Sequence, residues 1–261
     1  GKPKGDSFLQ DVLWDFHGVE HLPELSINKL TKIRQEAKMK PPPAQEVWDQ
    51  KLGPSRWDKI WGARAMYSTP RDKAAQLKLQ HRNLWVAKNG GCSDTKCKAP
   101  GCQHEESQEH LWTCQIIQQE FWGPILENMR NLEMNPSSEA AYGILGIHRS
   151  HRATKEELGV LQMAWRNLYA QSVKTKLEEG EMDLPLAVYK TWRLVLSRVQ
   201  AHGNLWRRWF LKQTGHIRPK IFPLQHRKHK LIELDQEANY KVNPKLGKIV
   251  EEARNKIVLR N

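Results

Sequence analysis

Apolar residues recur every three or four positions along most of the chain, which is the spacing that places them on one face of an α-helix. Runs of this kind cover residues 25–33, 158–168 and 184–199, and Glu109 to Leu126 forms another that Gly123–Pro124 interrupts. Their apolar positions are Leu25, Ile27, Leu30 and Ile33; Leu158, Leu161, Trp165 and Leu168; and Leu186, Val188, Trp192 and Leu196. Alternating strand-like patterns are few. The pattern therefore predicts a mainly α fold.

Several helix boundaries are marked by local sequence. Thr69-Pro70-Arg71-Asp72 combines a capping Thr, a Pro suited to the first helical position and an acid in the first turn. Thr154 and Glu157 have the spacing of a capping box. We expect Leu77, Leu84 and Trp85 to give the first of these helices, or its exit, an apolar side. A final helix is predicted over Pro244 to Leu259.

The cysteines of the chain, Cys92, Cys97, Cys102 and Cys114, all lie within one short window. Pro100–Gly101 supplies a tight turn between Cys97 and Cys102, so both sulfurs can point the same way. His110 and Cys114 are four residues apart, which places them on one face of a helix. Thiolates and imidazoles are the donors of tetrahedral zinc sites, and four protein ligands leave no open position. The spacing therefore predicts one structural zinc ion held by Cys97, Cys102, His110 and Cys114.

Two alternatives to this ligand set remain at the level of sequence. Cys92 lies five residues before Cys97 and could replace one of the cysteine ligands, although we expect it to be a free thiol near the site. His104 is close to Cys102, and we expect it to be a solvated loop residue. The window lacks both the HExxH pattern of zinc proteases and the Pro-Cys-x-x-Cys of zinc deaminases, so it does not indicate an active site. Clustered cysteines also favour a reducing, intracellular compartment over a secreted disulfide framework.

Charge adds a second prediction, because the chain carries a net charge of +13 and a pI near 9.6. Such a balance favours a polyanionic partner. The segment from Ala201 to Lys230 contains no acidic residue and interleaves cations with Trp206, Trp209, Phe210 and Phe222. The candidate nucleic-acid-binding residues are Arg207, Arg208, Lys212, Arg218, Lys220, Arg227, Lys228 and Lys230. Two further basic stretches are Lys29, Lys32, Arg34, Lys38 and Lys40, and Arg64, Arg71, Lys73, Lys78 and Arg82.

The region from Trp57 to about Trp122 resembles the zinc-binding domain found downstream of reverse transcriptase in non-LTR retrotransposons. The resemblance is carried by Trp57 and Trp61, Leu79 to Leu84, Cys97, Cys102, Glu106, His110-Leu111-Trp112-Thr113-Cys114 and Trp122. Met163 to Asn167 also resembles the Trp-x-x-Arg-Asn element that often follows in that family. One departure is that four residues separate the first cysteine pair, where two are usual. The resemblance implies a module that helps a reverse transcriptase engage RNA or DNA, without the polymerase itself.

The sequence thus divides into a basic N-terminal helical segment (1–45), a helical zinc-binding domain (46–213, with the cysteine window at 92–114) and a basic C-terminal extension (214–261). The leading hypothesis is a non-catalytic nucleic-acid-binding module of a retroelement reverse transcriptase or a host protein derived from one, with RNA favoured over DNA. One alternative is a scaffold subunit of a ribonucleoprotein, such as an organellar ribosome, contacted by other protein subunits. Another is a metal-dependent nuclease using His104 or Glu106. No apolar run is long enough to span a membrane, and we expect a nuclear or cytoplasmic location, with an organelle as the alternative.

Overall fold

The computed structural model describes residues 43–61, 63, 65–84, 86, 94–146, 153–213, 230–234 and 240–258. Side chains of residues 203–213, 233, 234 and 240 are not described, and the predicted helix at 25–33 lies outside the described residues. The fold is mainly helical, as the sequence predicts. In chain order the helices are α1 (Pro43–Leu52), α2 (Trp57–Trp61), α3 (Pro70–Gln80), α4 (His110–Thr113), α5 (Gln115–Ile117), α6 (Gly123–Asn131), α7 (Ala140–Leu145), α8 (Lys155–Glu178), α9 (Leu184–Gln213) and α10 (Pro244–Val258).

Two long helices, α8 and α9, form the centre of the molecule. Helix α8 packs against α9 on one side and α3 on another, while α10 lies along α9. Strands β1 (Ile232–Leu234) and β2 (Tyr240–Val242) form an antiparallel pair beside α9, with Ile232 opposite Val242. None of the helices in the described part of the chain is long and apolar enough to cross a bilayer.

The start of α8 confirms the predicted capping box. Thr154 Oγ1 accepts a hydrogen bond from the Glu157 N–H at 3.2 Å, and the Glu157 carboxylate accepts one from the Thr154 N–H at 2.8 Å. Leu158, Leu161 and Trp165 then turn into the core, as their spacing predicts, with Leu168 one turn further on. Helix α9 begins at Leu184, as predicted, but continues to Gln213.

Helix α3 buries a mixed face, which differs from the expected apolar one because Asp72, Gln76 and Gln80 are buried together with Ala75 and Leu79. Leu84 is buried, but Leu77 is 48% exposed, and Trp85 lies outside the described residues. The buried face carries Asp72, which accepts hydrogen bonds from the Thr69 N–H (2.7 Å) and from Arg166 on α8 (2.8 Å). Burial alone would raise the pKa of Asp72, but these hydrogen bonds hold it below its ordinary value. Because polar partners from distant segments satisfy this face, the apolar pattern does not reveal it.

Gly123–Pro124 does not interrupt the helical run, contrary to the sequence expectation. Helix α5 continues through a π-helical turn (Gln118–Trp122) directly into α6. The wider turn accommodates Pro124, which lacks an N–H and lies at the start of α6. A Cβ at Gly123 would lie only 2.9 Å from the Gln118 carbonyl oxygen. The Gly-Pro pair therefore marks a change of helical pitch and not a helix end.

A cluster of aromatic rings lies beneath this run of helices. The Trp122 ring lies 4.4 Å from that of Trp112 and 4.9 Å from that of Trp165, and all three side chains are buried. Two of the three indole N–H groups form hydrogen bonds inside the core: Trp122 donates to the Leu111 carbonyl and Trp165 to the Gly143 carbonyl. Buried aromatic side chains contribute the largest apolar area per residue, so this cluster anchors α4, the π turn and α8 together.

Gly159 permits a close contact between α8 and the segment before α3. A Cβ there would lie 2.1 Å from the Met66 carbonyl oxygen, whereas a Cβ at Gly247 in α10 would meet nothing within 4 Å. Gly-to-Ala changes inside helices normally stabilise by about 1 kcal/mol. We therefore expect Gly247→Ala to raise the melting temperature slightly. Gly159→Ala should lower it, because overpacking should reduce the free energy of unfolding by about 1–3 kcal/mol. Thermal unfolding of both variants measures this, and a stabilised Gly159→Ala would contradict the contact.

Candidate metal centre

The four side chains that the sequence predicts as metal ligands lie together in the structure. One donor atom from each of Cys97, Cys102, His110 and Cys114 falls within 4.8 Å of all the others. The Cys102 sulfur is 3.8 Å from the Cys114 sulfur and 3.3 Å from His110 Nε2. The cysteines are buried and the imidazole is half-buried. Among the described residues this is the one group of His, Cys, Asp and Glu side chains with such geometry.

The first two cysteines project from a tight hairpin. Lys96 and Glu105 form an antiparallel bridge across it, and the Cys97 N–H donates to the His104 carbonyl at 2.8 Å. At the tip the Cys102 N–H donates to the Ala99 carbonyl, and Gly101 has a φ of 77°, which favours glycine. The Pro100–Gly101 pair thus forms the turn that the sequence predicts, and both sulfurs lie on its inner side.

The other two donors come from either end of α4. Cys114 lies at the break between α4 and α5, with extended ψ, yet its N–H still donates to the His110 carbonyl at 2.7 Å. The i, i+4 relation between His110 and Cys114 therefore holds across a helix break and not inside a continuous helix. At this position the Cys114 sulfur accepts backbone N–H groups from Ile116 and Ile117 at the start of α5. Leu111 and Trp112, between the two donors, face the core.

Electrostatics within the cluster favour a bound cation. The hydrogen bond from Cys97 is the largest factor lowering the pKa of Cys114, to about 3, and His110 and the Ile117 N–H add to it. The same hydrogen bond, together with burial, raises the pKa of Cys97 well above that of an ordinary thiol. Without a cation, these two neighbouring sulfurs therefore do not readily ionise together. A metal ion would allow both to ionise, because it replaces the shared proton with a larger positive charge.

The spacing of the donors fits a single tetrahedral ion. Sulfurs bound at about 2.3 Å in a tetrahedron lie about 3.8 Å from one another, and a nitrogen bound at about 2.0–2.1 Å lies about 3.5 Å from each sulfur. The observed separations of 3.8 Å and 3.3 Å are close to these values. The four side chains can therefore hold one metal ion without rearrangement of the backbone.

The two alternative ligands differ in what the structure shows of them. His104 is exposed and is not among the clustered donors; its ring centre lies 5.7 Å from that of His110. Cys92 lies outside the described residues.

A buried ion pair attaches this centre to α8. Glu106, just after the hairpin, has no exposed surface, and its carboxylate accepts hydrogen bonds from Ser172 Oγ at 3.1 and 3.2 Å and from Lys176 Nζ. The Lys176 side chain is 2% exposed. Met182, after the end of α8, donates its N–H to the Lys98 carbonyl. The sequence resemblance includes Glu106 but gives no role to Lys176, which lies 70 positions further along the chain.

A second ionic cluster fixes the helix start before His110. Glu109 Oε1 lies 2.6 Å from Lys51 Nζ and 2.5 Å from Arg82, whose guanidinium lies over the Trp48 ring. Burial raises the pKa of Glu109, but these two hydrogen bonds outweigh burial and lower it to about 2. Because the folded-state pKa is depressed, the stabilisation is complete above the unfolded-state pKa and is lost as pH falls towards 2.

The predicted nucleic-acid-binding residues are mostly beyond what the structure describes. Arg207, Arg208 and Lys212 lie on the C-terminal part of α9, where only the backbone is described. Arg218, Lys220, Arg227 and Lys228 lie outside the described residues. Lys230 is described, and its ammonium group lies 3.2 Å from Glu133 while its N–H donates to Glu156.

The alternative basic stretch on α3 is described more fully. Arg71, Lys73 and Lys78 are exposed, Arg82 is paired with Glu109, and Arg64 lies outside the described residues. The other stretch, from Lys29 to Lys40, also lies outside them.

Comparisons with protein families, curated proteins and solved structures give no match to this chain.

The buried Glu106–Lys176 pair predicts that a single substitution destabilises the protein more than the double substitution does. Lys176→Met leaves the Glu106 carboxylate buried without its counter-ion, so we expect a loss of about 3–5 kcal/mol in the free energy of unfolding. Glu106→Gln combined with Lys176→Met removes both charges and should recover most of that loss. Chemical denaturation of the two variants measures the difference. A double variant as unstable as Lys176→Met would contradict the pairing.

The amount of bound metal should show whether Cys92 is a free thiol or replaces one of the cysteine ligands. We expect one equivalent of bound metal in the purified protein, lost in Cys114→Ser because Cys114 is among the clustered donors, and retained in Cys92→Ser because the sequence predicts Cys92 to be a free thiol. Mass-spectrometric metal analysis measures this. Loss of metal from Cys92→Ser, with retention in Cys97→Ser, would show that Cys92 is the ligand instead.

Proposed function

We propose that the protein is a non-catalytic, zinc-stabilised module that binds nucleic acid, with a preference for RNA. The observation that carries the proposal is the closed Cys3His cluster in a chain of net charge +13. The cluster supplies a rigid scaffold, and the charge supplies attraction to a polyanion.

Zinc is the metal that these donors suit best. Three thiolates and an imidazole in tetrahedral arrangement form a common structural zinc site, whereas magnesium and calcium prefer oxygen donors. Zinc held there would link the hairpin that carries Cys97 and Cys102 to the helix pair that carries His110 and Cys114. With four protein donors the ion would have no position for water or substrate, so its role would be structural.

Two further features support a role without catalysis. Glu106, the carboxylate that the nuclease hypothesis would use, is fully buried and bound by Ser172 and Lys176, so it cannot contact a substrate. His104 is an exposed loop residue. The nuclease hypothesis would require His104 and Glu106 to act on one substrate, and a buried carboxylate and an exposed imidazole do not support that.

The preference for nucleic acid rests on charge and on the motif resemblance. The acid-free stretch from Ala201 to Lys230 provides cations that can neutralise phosphates and release their counter-ions. The pattern from Trp57 to Trp122 resembles the zinc-binding domain of non-LTR retrotransposon reverse transcriptases, which would place the module beside a polymerase or in a host protein derived from one. None of the DNA-reading helix motifs is evident in the sequence, which favours single-stranded or structured RNA.

Binding measured across a salt series tests this proposal. We expect the zinc-loaded protein to bind RNA with an affinity that falls steeply with salt, with a log–log slope of about −0.7 for each phosphate neutralised on a single strand. Arg207→Gln combined with Arg208→Gln should make that slope shallower. Lys174→Gln, which removes an exposed cation that already pairs with Glu178, is the matched control and should change it little. Zinc binding without any nucleic-acid affinity would contradict the proposal and favour a protein-binding scaffold.

A further inference from the structure

The two tryptophans of α2 have different environments. Trp57 is buried, and its indole N–H donates to Asp49 at 2.9 Å. Trp61, one helical turn later, is 37% exposed and stacks on the exposed ring of His81, with ring centres 5.0 Å apart and planes inclined by 27°. The first ring is therefore part of the core, while the second is held at the surface by two rings: His81, and also Trp57, whose ring centre lies 5.2 Å away with the planes inclined by 32°.

Apolar exposure continues from this ring pair onto α3. Leu77 lies one turn before His81, whose N–H donates to the Leu77 carbonyl at 2.9 Å, so the two side chains share a helix face. Leu77 is 48% exposed. Among the described residues only four large apolar side chains are exposed, and Trp61 and Leu77 are two of them. Single exposed apolar residues are ordinary, but Leu77 beside the stacked rings of Trp61 and His81 indicates a contact surface.

The charge on the same helix has one sign. The exposed charged residues of α3 are Arg71, Lys73 and Lys78. Its one acid, Asp72, has no exposed surface and is bound by Thr69 and Arg166. Within the described chain, neither Arg71, Lys73 nor Lys78 forms an ion pair. The exposed side of α3 is therefore cationic along about 10 Å of helix, from Arg71 to Lys78, given a rise of about 1.5 Å per residue.

The acid on α2 does not oppose this charge. Asp58, which is exposed, forms an ion pair with Arg56 at 3.2 Å. The surface formed by Trp61, Leu77 and His81, with Arg71, Lys73 and Lys78 on α3, is called the α2–α3 surface below. This surface combines the stacked rings of Trp61 and His81 with cations that have no counter-ion among the described residues.

We propose that the α2–α3 surface binds single-stranded nucleic acid, with an unpaired base stacked on the exposed Trp61–His81 pair and phosphates held by Arg71, Lys73 and Lys78. Rings beside a cationic track are the combination that single-strand binding proteins use, because every base has a stacking face and every nucleotide a phosphate. In a duplex the bases are already stacked on each other, so the rings would gain nothing there. An acidic peptide would satisfy the cations but would leave the ring pair without a partner.

This inference rests on the proposed function and specifies where, and in which form, nucleic acid is bound. Trp61→Ala in the zinc-loaded protein should weaken binding of a labelled single-stranded RNA by about 5- to 150-fold, the range found when a stacking ring is removed. Trp61→Phe, which keeps a flat ring, should retain most of the affinity. Leu177→Ala, at an apolar side chain 71% exposed on α8, is the matched control and should bind like the unaltered protein.

The salt dependence separates stacking from phosphate contact. Trp61→Ala should leave the log–log salt slope unchanged, since no charge is lost. Lys73→Gln combined with Lys78→Gln should make the slope shallower by about 1.4, at about 0.7 for each phosphate contact on a single strand. A duplex of the same sequence should bind equally well to Trp61→Ala and to the unaltered protein. Single-stranded DNA of that sequence reports whether the surface requires the ribose hydroxyl.

The outcomes distinguish the two proposals. Absence of salt-dependent binding by the unaltered protein would overturn the proposed function and this inference with it. Salt-dependent binding that is the same in Trp61→Ala would overturn the α2–α3 surface alone. An equal loss of single-strand and duplex affinity in Trp61→Ala, or a loss of bound zinc, would show a general disturbance of the fold and would also contradict stacking.

Discussion

Holding three cysteine sulfurs and an imidazole within 4.8 Å of one another is the constraint on which the rest of this structure depends. Sulfur anions at that distance repel, and protons can relieve the repulsion only in part, as the opposed pKa shifts of Cys97 and Cys114 indicate. A bound cation removes the conflict. A metal bound there would cross-link the hairpin to the start of the α4–α6 run.

The centre is also continuous with the core, so its geometry would affect distant helices. His110 and Cys114 point towards Cys97 and Cys102, while Leu111 and Trp112, which lie between them in sequence, are buried in the core. A Cβ at Gly143 would lie 2.1 Å from the Trp112 ring, so α7 can pack against this ring only because residue 143 has no side chain. The buried Glu106–Lys176 pair joins the hairpin to α8 from another direction. Loss of the metal should therefore loosen α4, α7 and α8 together, and not the hairpin alone.

Local chemistry explains what the sequence predicted well. The cap at Thr154 and the turn at Pro100–Gly101 depend on residues within a few positions of one another, and the donors Cys97, Cys102, His110 and Cys114 all lie within 18 consecutive residues. What it predicted poorly depends on distant partners. The buried polar side chains of α3 require Arg166, 94 positions from Asp72, and the Ile144 carbonyl, 68 positions from Gln76. Lys176 as the partner of Glu106, and the different exposure of Trp57 and Trp61, likewise follow only from tertiary packing.

We propose that the centre binds one zinc ion through three sulfurs and one nitrogen. X-ray absorption spectroscopy at the zinc edge, on the protein as purified, tests it most directly. We expect three sulfurs at about 2.3 Å and one nitrogen at about 2.0–2.1 Å from the zinc, with no water in the shell. Four sulfurs would show that Cys92 displaces His110, and a shell containing oxygen would contradict a closed structural site.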